Sequence, residues 1–208
     1  MTIKLNGSTA GSVALDAPAS TTGNADISFK LPVADGSANQ VLKTDGSGNL
    51  GFIAQSVGIA MMDQWRITND NNKTNDQVID SHWERSDTAT YSGIGTGMTE
   101  SSGVFTFPQT GIYLILAQAQ MYGGSSVSYA GLKIKASSDG GSNYSSISYA
   151  LQNPDGYSQL CMHGILNVGN TSNFRVRLNA VNNASTQYSG GSNYHRTGLT
   201  FIRLGDAQ

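Results

Sequence analysis

The sequence carries little charge of either sign. Of its 208 residues, 12% are charged, and the net charge is -2 at pH 7. Basic runs are absent and the isoelectric point is near 5.8, so the electrostatic footprint of a nucleic-acid-binding protein is missing. Ser, Thr, Asn and Gly take the surface positions that Lys and Glu usually fill. We therefore expect a neutral, hydrogen-bonding surface and exclude DNA and RNA as partners.

The sequence also lacks paired cysteines and long apolar stretches. Its single cysteine, Cys161, lies between Leu160 and Met162, which predicts a small buried hydrophobe and excludes a disulfide within the chain. No stretch approaches the roughly 18 apolar residues of a membrane span. No apolar h-region follows Lys4, so a cleaved secretion signal is not expected. We expect no membrane insertion, and synthesis and assembly in a reducing cytoplasm.

Residues 57 to 208 contain short runs in which apolar and polar residues alternate, the period of a strand. The run Phe174 to Ala180 has one apolar and one polar face, and Leu132 to Ala136 repeats the pattern. The run Ile112 to Ala117 is nearly all apolar, which is typical of a strand covered on both sides. Further strands are predicted at Gly103 to Phe107, Leu199 to Leu204, Gln64 to Thr68, Val78 to Trp83, Tyr144 to Leu151 and Gln159 to Val168. Together with Gly-rich turns, they predict an all-β antiparallel sandwich or barrel head.

Residues 1 to 56 differ in composition from the rest. Their apolar residues come in ones and twos, too few to offset an ordering entropy of roughly 1 to 2 kcal/mol per residue. We predict an extended, strand-poor attachment segment that becomes ordered against a partner. Asp45 to Asn49, between two apolar pairs, predicts one hairpin. The residues expected to make the attachment are Ile3, Leu5, Val13, Leu15, Ile27, Phe29 and Leu31.

Three segments of the head carry a family resemblance. Gly103-Val-Phe-Thr-Phe-Pro108, Gly111-Ile-Tyr-Leu114 and the closing run Thr197 to Leu204 resemble the globular head of complement component one-q and its tumour-necrosis-factor-like relatives. The resemblance implies a trimeric antiparallel jelly roll in which these aromatic residues belong to the core. Arg203 stands where that family is usually apolar, which weakens the expectation of close packing between subunits there.

A second resemblance covers the N-terminal region. The run Leu31 to Leu50, LPVADGSANQVLKTDGSGNL, is similar to a module of bacteriophage fibre and other virion proteins that often precedes a jelly-roll or receptor-binding tip. Asp63 to Arg66, Trp83 to Arg85 and Ile94 to Met98 resemble heads attached to phage structural proteins.

The two resemblances together imply a virion protein assembled in the host cytoplasm as a homotrimer. We expect a capsid-decorating or cementing spike that docks on a major capsid or tail protein through residues 1 to 56. The alternative is the receptor-binding tip of a tail fibre, which would adhere to a host surface glycan or protein.

Residue patterns typical of an enzyme are missing. His82, His163 and His195 are far apart in the sequence, and neither an HxxxH, an HExxH nor a G-x-S-x-G motif occurs. We expect no enzymatic activity and no cofactor. A carbohydrate-active enzyme in the same fold is the rival interpretation, and it would require paired carboxylates in a cleft.

Two pairs of aspartates raise the question of calcium. Asp70 with Asp76, or Asp139 with Asp155, would supply oxygen ligands from loops. The D-x-D-x-D-G spacing of a dedicated calcium loop is absent, which favours solvated turns, and we assign no metal ligand.

One short motif occurs twice: Gly140-Gly-Ser-Asn-Tyr144 recurs as Gly190-Gly-Ser-Asn-Tyr194. We expect two similar exposed loops, whose tyrosines are candidates for a contact surface. Tyrosine suits sugars or protein partners because it joins a flat apolar ring to a hydroxyl group. The alternative is a structural tyrosine half-buried at a strand end. The candidate contact residues are Asn143, Tyr144, Asn193 and Tyr194.

Overall fold

The computed structural model describes residues 3–6, 9–54, 58–87, 91, 93–154 and 156–208, with the backbone alone at positions 4 and 13. The chain divides into two compact units, Met1–Val57 and Gly58–Gln208. The expected boundary between residues 56 and 57 lies one residue from this division. Within the described ranges, no helix is long and apolar enough to span a membrane.

The N-terminal unit contains two antiparallel hairpins. In the first, β1 (Ile3–Asn6) pairs with β2 (Ser12–Leu15). In the second, β3 (Gln40–Thr44) pairs with β4 (Leu50–Ala54), as the sequence predicts. A short 3-10 turn at Thr22–Asn24 lies between the hairpins. The first hairpin was not predicted, although an Asn-Gly pair, Asn6-Gly7, directly follows the apolar residues of β1 in the sequence.

The turn of the second hairpin is held by Asp45. Its carboxylate accepts hydrogen bonds from the backbone N–H of Ser47 at 2.8 Å and from the side chain of Asn49 at 2.6 Å. Gly48 has a φ of 88°, and a Cβ there would lie 2.7 Å from the carbonyl oxygen of Ser28. Glycine is therefore required both for the backbone conformation and for the close approach of the preceding segment.

The described part of the head contains twelve strands, and all pair antiparallel. In chain order they are β5 (Met61–Ile67), β6 (Asn71–Lys73), β7 (Trp83–Arg85), β8 (Thr99–Ser101), β9 (Val104–Thr106), β10 (Gly111–Gly123), β11 (Ala130–Ser137), β12 (Ser145–Gln152), β13 (Gly156–Val168), β14 (Arg175–Asn182), β15 (Thr186–Tyr188) and β16 (Gly198–Gly205).

The twelve strands form two sheets. One has five strands in the order β12-β11-β14-β9-β8. The other has seven strands around β10, which pairs with β13 along one edge and with β16 and then β15 along the other. Strand β5 joins β16 to β7, and β6 pairs with β15. The buried faces of the two sheets enclose one apolar core, and this architecture confirms the predicted antiparallel jelly-roll sandwich.

The core is centred on the aromatic residues of the predicted signature. The ring of Phe105 lies 5.5 Å from Trp65, 5.0 Å from Trp83 and 5.3 Å from Phe201, measured between ring centroids. Every second side chain of β10 is buried, beginning at Gly111, as the two-residue period of a strand requires. The signature segments therefore supply packing and not chemistry.

The predicted strand Val78 to Trp83 is largely absent. Val78 makes a single bridge to Asn179, and a strand begins only at Trp83. Ile79 donates its N–H to the carbonyl of Leu178 at 2.9 Å and buries its side chain in the core. The apolar residues of this run thus cover the edge of β14 as an irregular segment, which a period-two pattern does not distinguish from a strand.

Candidate functional site

The outer face of the seven-stranded sheet is apolar over its central strands. Leu114 of β10 lies directly opposite Ile165 of β13 on one side and Ile202 of β16 on the other. Directly paired residues share a face, so these side chains form one continuous strip. Ile165 is 62% exposed and Leu116 is 40% exposed. We call this strip the assembly face, and its members are Met62, Ile112, Leu114, Leu116, Ile165 and Ile202.

Two tyrosines and the single cysteine extend this face along β10 and β13. The rings of Tyr122 and Tyr157 stand 4.9 Å apart at its far end, and both are exposed. Cys161 is exposed on the same face, opposite Gln118, so the expectation that it is buried was wrong. The reason is the strand period: its neighbours Leu160 and Met162 point into the core, and Cys161 points out.

A hollow of about 380 Å³ lies in this outer face, and its polar groups bond to one another. Gln64 donates to the Thr200 hydroxyl at 3.2 Å, and Gln118 donates to the carbonyl of His195. The His195 ring lies 3.0 Å from the carbonyl of Trp65 through Nε2. Burial lowers the pKa of His195 below its ordinary 6.5, which keeps the ring neutral at pH 7. Cys161 also lines the hollow, and the described hydrogen bonds of the other polar groups join neighbouring strands.

The three histidines lie in different surroundings. His163 is exposed on β13 opposite Leu116, and His82 lies 3.4 Å from the side-chain amide of Asn71. Among the residues described, no group of three or more His, Cys, Asp or Glu side chains is arranged to hold a metal ion.

The aspartates considered for calcium are engaged in other contacts. Asp70 accepts hydrogen bonds from Gln187 at 2.6 Å and from the backbone of Gly190 at 2.8 Å. Asp76 forms an ion pair with Lys135 at 2.8 Å. The carboxylate of Asp139 accepts hydrogen bonds from Asn143 and Ser137, which hold its pKa well below the usual range. Its suggested partner Asp155 lies outside the described residues.

The two recurring tyrosine loops lie beside different strands of the head, and their role as a contact surface stays a prediction. Gly140 donates to the carbonyl of Asn173, beside the turn that follows β13, whereas Ser189 donates to Gln120 near the far end of β10. Gln120 lies nine residues after Gly111, the first residue of β10, which corresponds to roughly 30 Å along the strand at ~3.3 Å per residue. Similar local sequences fix similar turns but not their positions in the fold.

Within these loops the tyrosines have different environments. The ring of Tyr144 lies 3.8 Å from the guanidinium carbon of Arg177, and Asn143 donates its side-chain amide to Asp139 at 2.7 Å. Tyr194 is 67% exposed, and its neighbour Asn193 is exposed as well.

The candidate attachment residues lie uncovered in the N-terminal unit. Ile3 and Leu15 are direct partners in the first hairpin, and Leu5 is on the same face. Leu15 is 64% exposed, and Ile3 and Leu5 are exposed to a similar extent. The side chain of Val13 lies outside the described part of the structure. The alternating residues Ile27, Phe29 and Leu31 are exposed as well.

Sequence reasoning missed a polar centre in β5. Asp63 is buried, and its carboxylate accepts hydrogen bonds from the Trp65 indole at 2.8 Å, the Met98 backbone at 2.7 Å and Arg85 at 2.9 Å. These bonds fasten the segment around Met98 to the strand. In the two-residue period of β5, Asp63 falls on the same face as Met61, Trp65 and Ile67, and a carboxylate on that apolar face was the signal that could have revealed it.

Arg203 does not interrupt the assembly face. It lies opposite the buried Tyr113 in the sheet register, and its guanidinium donates to the carbonyl of Thr110 at 2.9 Å and pairs with Asp206. The guanidinium of Arg203, which stands where the family is usually apolar, is thus bound at the end of the sandwich.

Comparisons with known proteins show similarity at the level of structure. No protein-family model matches the chain, and no curated protein matches it in sequence. Murine APRIL, in a crystal structure at pH 8.5, is 14% identical with a TM-score of 0.53, over 69% of this chain and 98% of its own. The Eiger TNF of S. frugiperda is 13% identical with a TM-score of 0.55, over 73% of this chain and 96% of its own. The head therefore has a jelly-roll fold like that of these tumour-necrosis-factor-like structures.

Proposed function

We propose that the chain is a structural virion protein of a bacteriophage, a homotrimeric capsid-decorating or cementing spike that docks through its N-terminal unit. The observation that carries the proposal is the assembly face. The sequence of β10 is typical of a strand covered on both sides, yet a single chain covers only one side. Two further copies of the same chain are the partners that the resemblance to trimeric heads implies.

The composition of the assembly face supports this form of association. Scattered exposed apolar residues are normal, but a continuous strip such as Leu114, Ile165 and Ile202 marks an interaction surface. Full burial of each such side chain is worth about 1.5 to 3 kcal/mol. The chain carries few surface charges, so little electrostatic repulsion opposes the association of identical copies.

The N-terminal hairpin supports attachment. An isolated two-stranded hairpin is marginally stable in water, and this one exposes an apolar face that carries Ile3, Leu5 and Leu15. A partner that covers this face would both order the unit and hold it. The virion module that Leu31 to Leu50 resembles points to a capsid or tail protein as that partner.

Deletion of residues 1 to 55 tests the division of roles. We expect a soluble trimeric head that no longer co-sediments with virions of the phage that encodes it. A matched pair of full-length variants sharpens the test: Leu15→Asp charges the apolar face of the hairpin, and Ala14→Asp places the same charge on the opposite face. We expect only Leu15→Asp to abolish attachment. Attachment retained by the deletion variant contradicts the proposal.

The second candidate function is the receptor-binding tip of a tail fibre. The exposed ring of Tyr194 beside Asn193 is the observation that favours it, because an exposed tyrosine in a neutral loop suits a glycan or protein contact. A glycan array probed with the full-length chain tests this function. Binding that is lost in Tyr194→Ser supports it, and no binding to any glycan argues against it.

A further inference from the structure

The outer face of the five-stranded sheet gathers positive charge. Lys135 of β11 lies directly opposite Arg177 of β14, and cross-strand partners share a face. We call this cluster the basic face, and its members are Lys133, Lys135, Arg175 and Arg177. The chain has twelve Lys and Arg residues in total and a net charge of -2, so a third of its cationic side chains stand on one face of one sheet.

Asp76 supplies counter-charge to part of this cluster. Its carboxylate lies 2.8 Å from the ammonium group of Lys135 and 3.6 Å from that of Lys133. The hydrogen bond from Lys135 lowers the pKa of Asp76, which therefore stays charged. Asp139 lies in the loop that follows β11. Even if both carboxylates are counted, four positive charges face two negative ones.

Arg177 has a free hydrogen-bonding capacity. Its Nε is buried without an acceptor, and no oxygen among the described residues accepts a hydrogen bond from its guanidinium. The guanidinium carbon stands 3.8 Å from the ring centre of Tyr144. This cation–π contact holds the guanidinium against the ring. The two terminal nitrogens are the donors that remain for an outside acceptor.

The register places two like charges opposite one another, at Lys135 and Arg177. Like charges directly opposite in a sheet destabilise it. Asp76 neutralises Lys135, but no described carboxylate pairs with Arg177. Arg177 is therefore the member of the pair that lacks an internal anion, and an external anion would complete the arrangement.

We propose that the basic face binds an acidic polysaccharide whose sugars carry carboxylates. The guanidinium fork of Arg177 matches the planar, two-oxygen geometry of a carboxylate. The exposed ring of Tyr149, 5.8 Å from the ammonium group of Lys133, adds a flat apolar surface for a sugar ring. The rings favour a saccharide over an acidic peptide.

This inference does not rest on the proposed virion role. The basic face belongs to the five-stranded sheet, and the assembly face belongs to the seven-stranded sheet. A trimer formed through the assembly face leaves the exposure of the basic face as it is in a single chain. Failure to bind a polysaccharide therefore leaves the proposed assembly unaffected, and failure to form a trimer leaves this inference unaffected.

Calorimetric titration of the full-length chain with a decamer of galacturonic acid tests the inference. We expect saturable binding at low salt, and a tenfold or greater loss of affinity in Arg177→Gln. Arg196→Gln is the matched control, because Arg196 stands 5.9 Å from the Tyr194 ring in the recurring loop and carries the same charge. We expect that control to bind as the parent chain does. Arg177→Lys keeps the charge and loses the fork, so it should bind with intermediate affinity.

Thermal melts of each variant show whether it is folded, and Lys133→Gln replaces Arg177→Gln if the latter does not fold. Neutral dextran and a 20-base-pair DNA duplex are the comparison ligands. Three results overturn the inference: no binding to the galacturonate, equal binding to dextran, or equal binding to the duplex. Full affinity in Arg177→Lys also overturns it, because net charge alone would then explain the binding.

Discussion

Tyr188 shows how single residues hold this sandwich together. Its hydroxyl is buried, donates to the carbonyl of Gly131 at 2.7 Å and accepts from the N–H of Val181 at 3.3 Å. Burial raises the pKa of Tyr188 well above its ordinary 10.0, so the hydroxyl stays protonated and able to donate.

Replacement of Tyr188 by Phe leaves both backbone groups without this partner. We expect the free energy of unfolding to fall by about 1 to 3 kcal/mol, the range for an unsatisfied buried polar group. Urea denaturation measures it, with Tyr129→Phe at a partly exposed ring as the control, expected to change stability by less than about 0.5 kcal/mol. Equal stability of the parent chain and Tyr188→Phe would contradict this role.

His195 gives the fold a pH dependence of known sign. Its pKa is lower in the folded chain than its ordinary 6.5, so the unfolded chain takes up a proton first as the pH falls. Stability is therefore unaffected by this group above pH 7 and decreases as the pH falls below about 6.5. Asp76 and Asp80 have lowered pKa values in the folded chain, so their protonation at more acidic pH causes a further loss of stability.

We expect the thermal midpoint to fall between pH 7 and pH 5, and His195→Gln to reduce that fall. His163→Gln, at an exposed position on β13, should keep the dependence of the parent chain. A midpoint that changes identically with pH in the parent chain and His195→Gln would show that another group is responsible.

At the scale of elements, β10 joins the core to the assembly face. Its inward side chains pack within the sandwich, and its outward ones form the apolar strip with β13 and β16. A charge on the outward side should therefore disrupt association without disturbing the core.

We expect Leu116→Asp to lower the mass of the particle in sedimentation equilibrium while its circular dichroism and melting behaviour stay those of a folded sandwich. Leu151→Asp is the matched control, because Leu151 is equally exposed but lies on the five-stranded sheet. Loss of association in both variants, or in neither, would show that the assembly face is not the interface.

The elements also show what sequence reasoning could reach. The strands of the core and the second hairpin were predictable, because period-two patterns and the Asp45 turn are local signals. The outward position of Cys161 followed from the same period but was obscured by its apolar neighbours. The distance between the Tyr144 and Tyr194 loops depends on the order of strands in two sheets, which no local pattern contains.

At the scale of the whole molecule, the two units differ in what they leave exposed. The head encloses a full core and exposes an apolar strip on one sheet and positive charge on the other. The N-terminal unit encloses no buried apolar residue among those described and exposes most of its apolar side chains. We infer that the head associates with other copies of itself and that the N-terminal unit attaches them to a partner protein.

On the virion role that we propose, cryo-electron microscopy of the phage particles tests this division most directly. We expect threefold spikes on the particle in which residues 1 to 57 contact a capsid or tail protein and the jelly-roll heads point outward, joined through their seven-stranded sheets. Particles without the chain, or heads seated on the particle surface with the N-terminal units free, would contradict it.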